Sequence, residues 1–433
     1  MTFDYKARRS QLLATMPLNS IAFLFAKPQQ YRNHDTEYRF RQDSSFYYLT
    51  GLNEPDLVLL LVKTAYEQLD MLFCHPYDER VATWLGTRVS AAEMVTQGFD
   101  QAYSLPEFEE KALSLLAGKE VIFSFWDHAE APNQQLLNFL KKLKENPRKG
   151  LVVPHAWQDL GPLLYEQRVI KSAEEIKTIQ HAIDISIEAH KALMAMPNKV
   201  GLHEYVLEAK LLDIFYQRGA SDCAYPSIIG AGDNACILHY HQNRALIKEN
   251  DLILIDAGAE YDFYASDITR TIPASGRYTT QQKELYQVVL AAQCAGIAAC
   301  QVGKSYHQIQ EDLLAAMIPG LLELGILTGS LDEVLSTQSY QAVYMHSSGH
   351  YLGLDVHDCG RYKTGSQWRL LEPNMILTVE PGVYIRRDHP TVPKKWHGLG
   401  IRIEDDILIS KKGPRVLSEK LPKAIEAVEA LAV

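Results

Sequence analysis

The sequence has no Cys-x-x-Cys pair, no excess of basic residues and no long uncharged apolar run, and each absence removes a class of function. Its six cysteines lie at positions 74, 223, 236, 294, 300 and 359. That spacing gives neither a zinc knuckle nor a dithiol redox motif. Lys and Arg total 43 against 53 Asp and Glu, a formal net charge of −10, which argues against a general nucleic-acid or membrane-surface role. The one basic cluster, Lys141, Lys142 and Lys144 with Arg148 and Lys149, reads as a solvated helix end. The segment through Met16 carries charges and no apolar core. The run Ile21 to Ala26 is stopped by Lys27 and Pro28. Neither an export signal nor a membrane span is therefore expected. The expectation is a cytoplasmic protein with free, mostly buried thiols. Low-complexity segments and solenoid-length repeats are also absent.

What remains is ordinary for a soluble enzyme: 433 residues, 47% hydrophobic and 22% charged, long enough for two or three cores. The first part mixes strands and helices. Strands are expected at Ser20 to Ala26, Phe46 to Thr50, Leu57 to Val62, Met71 to Cys74 and Glu120 to Phe125, with a helix over Gln134 to Lys144. The boundary is placed after Lys171, giving domains 1–171 and 172–433. Ser172 and Glu175 form a capping box. Behind it Ile176, Ile179, Ile183 and Ile187 recur at helical spacing. A second helix carries Leu207, Leu211 and Ile214 and stops near Gly219. Two more span Gln281 to Cys300 and Tyr306 to Leu324. Paired strands flanked by helices give an α+β class.

The second part places acids where a core strand should be apolar. Asp256 ends the run Leu252-Ile253-Leu254-Ile255. Asp267 falls in a returning strand, Phe263 to Ile272, after a turn containing Gly258. Glu380 lies in Met375 to Ile385 and Glu404 in Gly400 to Ile409. Arg402 and Glu404 share a face if that strand is regular. Two like charges 4 Å apart repel by roughly 1 kcal/mol in water and about 4 kcal/mol at an effective dielectric near 20. Clustered and desolvated, four carboxylates need counter-charge. Two divalent ions would neutralise them.

Three histidines follow in twelve residues: His346, His350 and His357. The spacing of His346 and His350 matches the zinc-binding His-Glu-x-x-His helix. Ser347 replaces its glutamate and glycines interrupt the stretch, so that reading is rejected. One of these histidines suits a metal ion and the others suit substrate hydrogen bonds.

These segments resemble the pita-bread metallopeptidases, and among them aminopeptidase P. The resemblance covers nearly the whole chain and is carried by Cys236 to Tyr240, Leu252 to Thr271 (DLILIDAGAEYDFYASDITRT), Met345 to Gly360 (MHSSGHYLGLDVHDCG), Leu377 to Ile385 (LTVEPGVYI) and Gly398 to Ile407 (GLGIRIEDDI). The stretch Phe40 to Leu61 is similar to the N-terminal domain of the bacterial enzymes. The resemblance implies a C-terminal pita-bread catalytic domain after a smaller α/β N-terminal domain. It implies five metal ligands, Asp256, Asp267, His350, Glu380 and Glu404, with Asp267 and Glu404 bridging two ions. It also implies substrate-side roles for His239, His346, His357 and Arg402, with Tyr384 as a partner of Arg402. Ser347-Ser348-Gly349 departs from the family's usual Gly-Leu-Ser or Gly-Leu-Gly stretch, so altered packing is expected there.

The function so implied is hydrolysis of the N-terminal Xaa-Pro peptide bond by a hydroxide shared between two divalent ions, with Glu380 as proton carrier. Manganese is the expected metal, with cobalt, iron and zinc as alternatives, since one imidazole among oxygen donors suits all four. The expected partners are peptides with proline in second position, with no nucleic acid and no membrane. The family also implies a homotetramer, a dimer of dimers in which N-terminal domain residues (Asp35 and Trp84 lie in equivalent segments) reach a neighbour's site. Two other readings stay open: a prolidase limited to Xaa-Pro dipeptides, and a non-enzymatic binding protein on the same scaffold.

Overall fold

Apolar runs set the frame of the structure, a computed structural model describing residues 3–126, 130–145, 148 and 150–432. The chain divides into two compact units, Met1–Gln167 and Arg168–Val433. In the first, a six-stranded sheet runs in the order Gln101–Ser104, Gln68–Cys74, Val58–Lys63, Ser20–Phe25, Val121–Ser124, Ala156–Asp159. The three central pairings mix antiparallel and parallel ladders around Ser20–Phe25. Ile21, Phe23, Leu60, Phe73 and Ile122 form its core with Phe108, Leu116 and Phe139 of the covering helices.

One expected strand is a helix. Ser44–Thr50 is capped by the Asp43 carboxylate, which accepts from the Phe46 N–H, and ends at Gly51 with φ 71°. A short apolar run does not distinguish strand from helix, and here the cap decides. Lys141, Lys142 and Lys144 occupy the exposed last turn of the helix Glu130–Lys144. There they complement the helix dipole, and Lys142 pairs with Glu109. Lys149 lies outside the described residues.

The second unit begins with Ala173–Ala195, whose Ser172/Glu175 capping box forms as the sequence indicates. Helices Glu204–Gln217, Thr280–Ala299 and Tyr306–Glu323 follow. They surround small antiparallel sheets. One consists of Ile228–Ala231, Leu252–Asp256 and Thr269–Pro273, another of Ile376–Val379, Asp405–Ser410 and Gly413–Val416, and a ribbon pairs Gly382–Ile385 with Leu399–Arg402. Lys171, where the sequence suggested a boundary, is buried in this unit and pairs with Asp358. All six cysteines are free; three are buried and Cys294 is exposed. No described helix is long and apolar enough to cross a membrane.

Candidate active site

Asp256 closes its strand as expected, with Ile255 and Asp256 paired to Arg270 and Thr269. The other three acids do not sit inside continuous strands. Asp267 falls between Tyr264–Ala265 and Thr269–Pro273, Glu380 between Ile376–Val379 and Gly382–Ile385, and Glu404 between Leu399–Arg402 and Asp405–Ser410. The expected strands Phe263 to Ile272, Met375 to Ile385 and Gly400 to Ile409 are thus each broken at the acid. At the second break Pro381 has no N–H for a ladder bond. The strands on the two sides of these breaks belong to different sheets but keep one register, Val379↔Asp405 and Gly382↔Arg402. Glu380 therefore stands opposite Glu404 across the gap, a like-charged pair that a plain ladder would disfavour.

The breaks bring the acids together. The Glu404 N–H donates to Thr269 O at 3.1 Å, and the Ala257 N–H to Ile268 O at 3.1 Å, joining both break points to the Asp256 strand. Gly258 permits this approach, since a Cβ there would lie 1.7 Å from the Ser266 carbonyl oxygen. His350 arrives on an irregular segment pinned by reciprocal bonds. Its N–H donates to Thr378 Oγ1 at 3.0 Å, and the Thr378 N–H to the His350 carbonyl at 2.9 Å. Gly349 makes room, because a Cβ would meet the Thr378 carbonyl at 2.0 Å.

Donor atoms of Asp267, His350 and Glu404 all lie within 4.8 Å of one another. His350 Nδ1 lies 3.0 Å from Tyr351 O. Donation to that carbonyl leaves Nε2 facing Asp267 Oδ2 at 3.3 Å and Glu380 Oε1 at 3.6 Å. Asp256 stands at the edge of the group. Tyr225 OH lies 2.6 Å from its Oδ1 and 2.5 Å from Asp267 Oδ1, and Arg402 Nη2 lies 2.5 Å from its Oδ2. Arg402 is the counter-charge of Asp256, which leaves Asp267, Glu380 and Glu404 to His350. Thr269 Oγ1 donates to Glu404 Oε2 at 2.6 Å. Glu404 Oε1 is buried without a hydrogen-bond partner among the described residues. That orphaned oxygen beside an imidazole and two further carboxylates fits a divalent cation.

The electrostatics agree. Burial, then the neighbouring Asp267 and Glu380 charges, hold Glu404 well above the carboxylate range. Burial pushes Glu380 to about 7 and raises Asp267. Burial works against the His350 cation, yet its hydrogen bond with Asp267 and the charges of Glu380 and Asp267 carry it to about 9. Cations among these groups would displace the protons that now offset the charge.

Around this cluster lies a cavity of about 900 Å³. It is lined by all five expected ligands and by His239, His346, His357 and Arg402, so these nine residues meet in one place. His357 packs edge-on against His350 at 4.2 Å between centroids. Arg402 Nη1 donates to Tyr384 OH at 2.9 Å, and that hydroxyl lies 2.8 Å from His346 Nε2. His346 Nδ1 meets Ser347 O at 2.9 Å. The pattern requires a proton on Nδ1. Burial and the Arg402 charge lower this imidazole to about 4, so it is neutral at pH 7. Sequence reasoning missed Tyr225, Thr269 and Thr378. Thr269 had a signal, since it alternates with Asp267 and Thr271; Tyr225 in Ala224-Tyr225-Pro226 had none.

Residues 177–411 match the metallopeptidase family M24, and residues 5–123 match the aminopeptidase P N-terminal domain. The Xaa-Pro aminopeptidase of Escherichia coli K12 is 38% identical over 432 residues, 99% of this chain and 97% of that protein. Among solved structures, the Pseudomonas aeruginosa aminopeptidase PepP superposes with a TM-score of 0.96 at 42% identity, covering 99% of this chain and 97% of that one. Proline aminopeptidase P II from Yersinia pestis gives 0.95 at 40% identity, over 99% and 98%.

Proposed function

Since the chain belongs to metallopeptidase family M24, with the two-domain architecture of aminopeptidase P and a C-terminal pita-bread unit, we propose that its active site hydrolyses the N-terminal Xaa-Pro peptide bond by the steps below. It is a hydrolase, a metallo-exopeptidase of the Xaa-Pro aminopeptidase kind. The observation that carries the reading is the group of Asp267, His350 and Glu404 donor atoms, with one buried Glu404 oxygen unpartnered.

Asp256, Asp267, His350, Glu380 and Glu404 are the residues that would hold two divalent ions. When bound, such ions supply an acidified water and an electrophile for the scissile carbonyl. The chain's own groups do the remainder. Asp256 faces the free α-amine, which restricts attack to the first bond. Glu380 would take the proton of the attacking water and pass it to the departing proline nitrogen. His239 donates to the developing oxyanion, and His357 to the substrate backbone beside the scissile bond. A proline nitrogen has no hydrogen to recognise, so the second residue must be read by shape. His346, His357 and Arg402, which line the cavity, would form that wall. Both His346 nitrogens are engaged, so it offers a ring face and no donor.

The metal is manganese in this reading, in keeping with an oxygen-rich donor set holding one imidazole. The assembly is a homotetramer in which the N-terminal unit, Met1–Gln167, serves oligomerisation and substrate access. Trp84 is 79% exposed and the Asp35 side chain 91%, as contributors to a neighbour's site should be. Six free thiols suit a cytoplasmic protein.

The test is Arg-Pro-Pro offered to manganese-loaded protein. Release of free arginine is expected. Cleavage confined to Xaa-Pro dipeptides would establish a prolidase instead. Substoichiometric manganese with no peptidase activity would leave only a binding protein.

A further inference from the structure

We propose that Glu204 is the positioning residue for His239. The inference rests on the reading of His239 as the oxyanion donor. Glu204 opens the helix Glu204–Gln217 and is 0% exposed, though nothing in the mechanism uses it. Its carboxylate accepts four hydrogen bonds, every one from the segment between residues 231 and 245 that carries His239. Oε1 accepts from the Ala231 N–H at 2.8 Å and Asn234 Nδ2 at 3.0 Å. Oε2 accepts from Tyr240 OH and the Ala245 N–H, both at 2.8 Å. The Glu204 N–H donates in turn to Ala245 O at 3.0 Å.

The loop is thus held at both ends and beside the histidine itself, by one side chain on a rigid helix. His239 is exposed in the cavity wall. Among the described residues no hydrogen bond fixes its imidazole, and its ring neighbour is His241 at 6.1 Å. The backbone position of Tyr240 and its neighbours therefore decides where His239 points. A buried carboxylate with both oxygens filled by donors is the group such a hub needs. The helix N-terminus further favours an acid there.

Glu204→Gln tests this at constant shape, because its amide sets an N–H₂ against two donors. Three readouts on the full chain separate positioning from mere stability. Manganese per chain should equal wild type. Hydrogen exchange over residues 231–245 should accelerate, while peptides carrying Asp256, Glu380 and Glu404 keep their protection. With Arg-Pro-Pro, kcat should fall roughly tenfold to a hundredfold with KM little changed. The double variant with His239→Ala should be no slower than His239→Ala alone, since both remove one interaction. Asn234→Ala and Tyr240→Phe, each deleting one donor, should reproduce the pattern in smaller measure if Glu204→Gln folds poorly. Wild-type kcat, unchanged exchange or losses that multiply with His239→Ala would overturn the proposal. Full turnover by His239→Ala itself would instead overturn the donor role of His239, and the proposal with it.

Discussion

Glu380→Gln, examined in protein stripped of divalent ions, should be more stable than wild type at pH 8. Glu380 has a carboxyl raised from 4.5 to about 7, chiefly by burial, and it faces Glu404 across the broken ladder. The folded state therefore binds a proton more tightly than the unfolded chain. Below the unfolded value, near 4.5, both states are protonated and the site costs nothing. As pH rises through the folded value, near 7, the proton is lost and the cost of the buried charge is felt in full. At about 1.4 kcal/mol per pH unit, the interval from 4.5 to about 7 corresponds to about 3 kcal/mol. Glutamine removes the charge and can turn its carbonyl towards His350 Nε2, now 3.6 Å from Glu380 Oε1.

The metal-free variant should thus gain about 3 kcal/mol at pH 8 and less than about 1 kcal/mol at pH 5. In a domain of this size that is a rise in Tm of roughly 5–10 °C, shrinking as pH falls. His350, raised to about 9, keeps its pairing with Asp267 across this range. Calorimetry in chelator at pH 5, 6, 7 and 8 measures the difference. Saturating manganese should reverse the order, because wild type alone retains the full ligand set and gains from binding. A variant no more stable than wild type at pH 8 in chelator, or a gain independent of pH, would refute the idea that the buried Glu380 charge destabilises the fold in the absence of ions.

Two further outcomes follow from neighbouring groups. His357→Ala should lower kcat/KM towards Arg-Pro-Pro by roughly tenfold to a thousandfold and leave the manganese content measured by mass spectrometry unchanged; loss of metal would show that His357 is a ligand. Asp358→Asn removes the counter-charge of buried Lys171, 2.8 Å away, and one of two carboxylates that meet Arg168, at 2.6 Å, the other being Asp355 at 2.7 Å, and should cost about 3 kcal/mol. Burial opposes the Asp358 charge, but Lys171 and Arg168 hold the group below its ordinary value. Its contribution is therefore full above the unfolded value near 4 and fades as pH falls through the depressed one. The Tm gap between wild type and variant should close on acidification, and a gap that stays constant would contradict the pairing.

Much of the frame is written locally in the sequence. The Ser172/Glu175 box, the isoleucine spacing behind it and the run ending at Asp256 each depend on residues a few positions apart, and each forms. Phe46 to Thr50 reads as a strand but lies in the helix Ser44–Thr50, because the Asp43 cap outweighs a strand-like composition. Trp84 has the look of a core residue but is exposed, a property set by surroundings that neighbouring residues do not encode. Tyr225 bridges Asp256 and Asp267 from a segment with no periodic signal, and Glu204 reads as an ordinary first-turn acid until four donors from another loop meet it.

The strand breaks are the deepest of these non-local features, and they explain how the acids can face one another at all. Within an unbroken ladder, Glu380 and Glu404 would occupy directly opposed positions, with Cβ atoms roughly 5 Å apart and side chains committed to one face. Where the ribbon passes from one sheet to the other, the backbone is free to turn both carboxylates towards Asp267 and His350. The flanking pairs Val379↔Asp405 and Gly382↔Arg402 keep the register that makes them meet. Arg270 secures the crossing from behind, donating to the Glu404 carbonyl at 2.6 Å and to Asp405 Oδ1 at 2.7 Å. The hydrophobic run on either side specifies a strand, Pro381 and the change of sheet partner interrupt it, and the interruption is where the chemistry is placed.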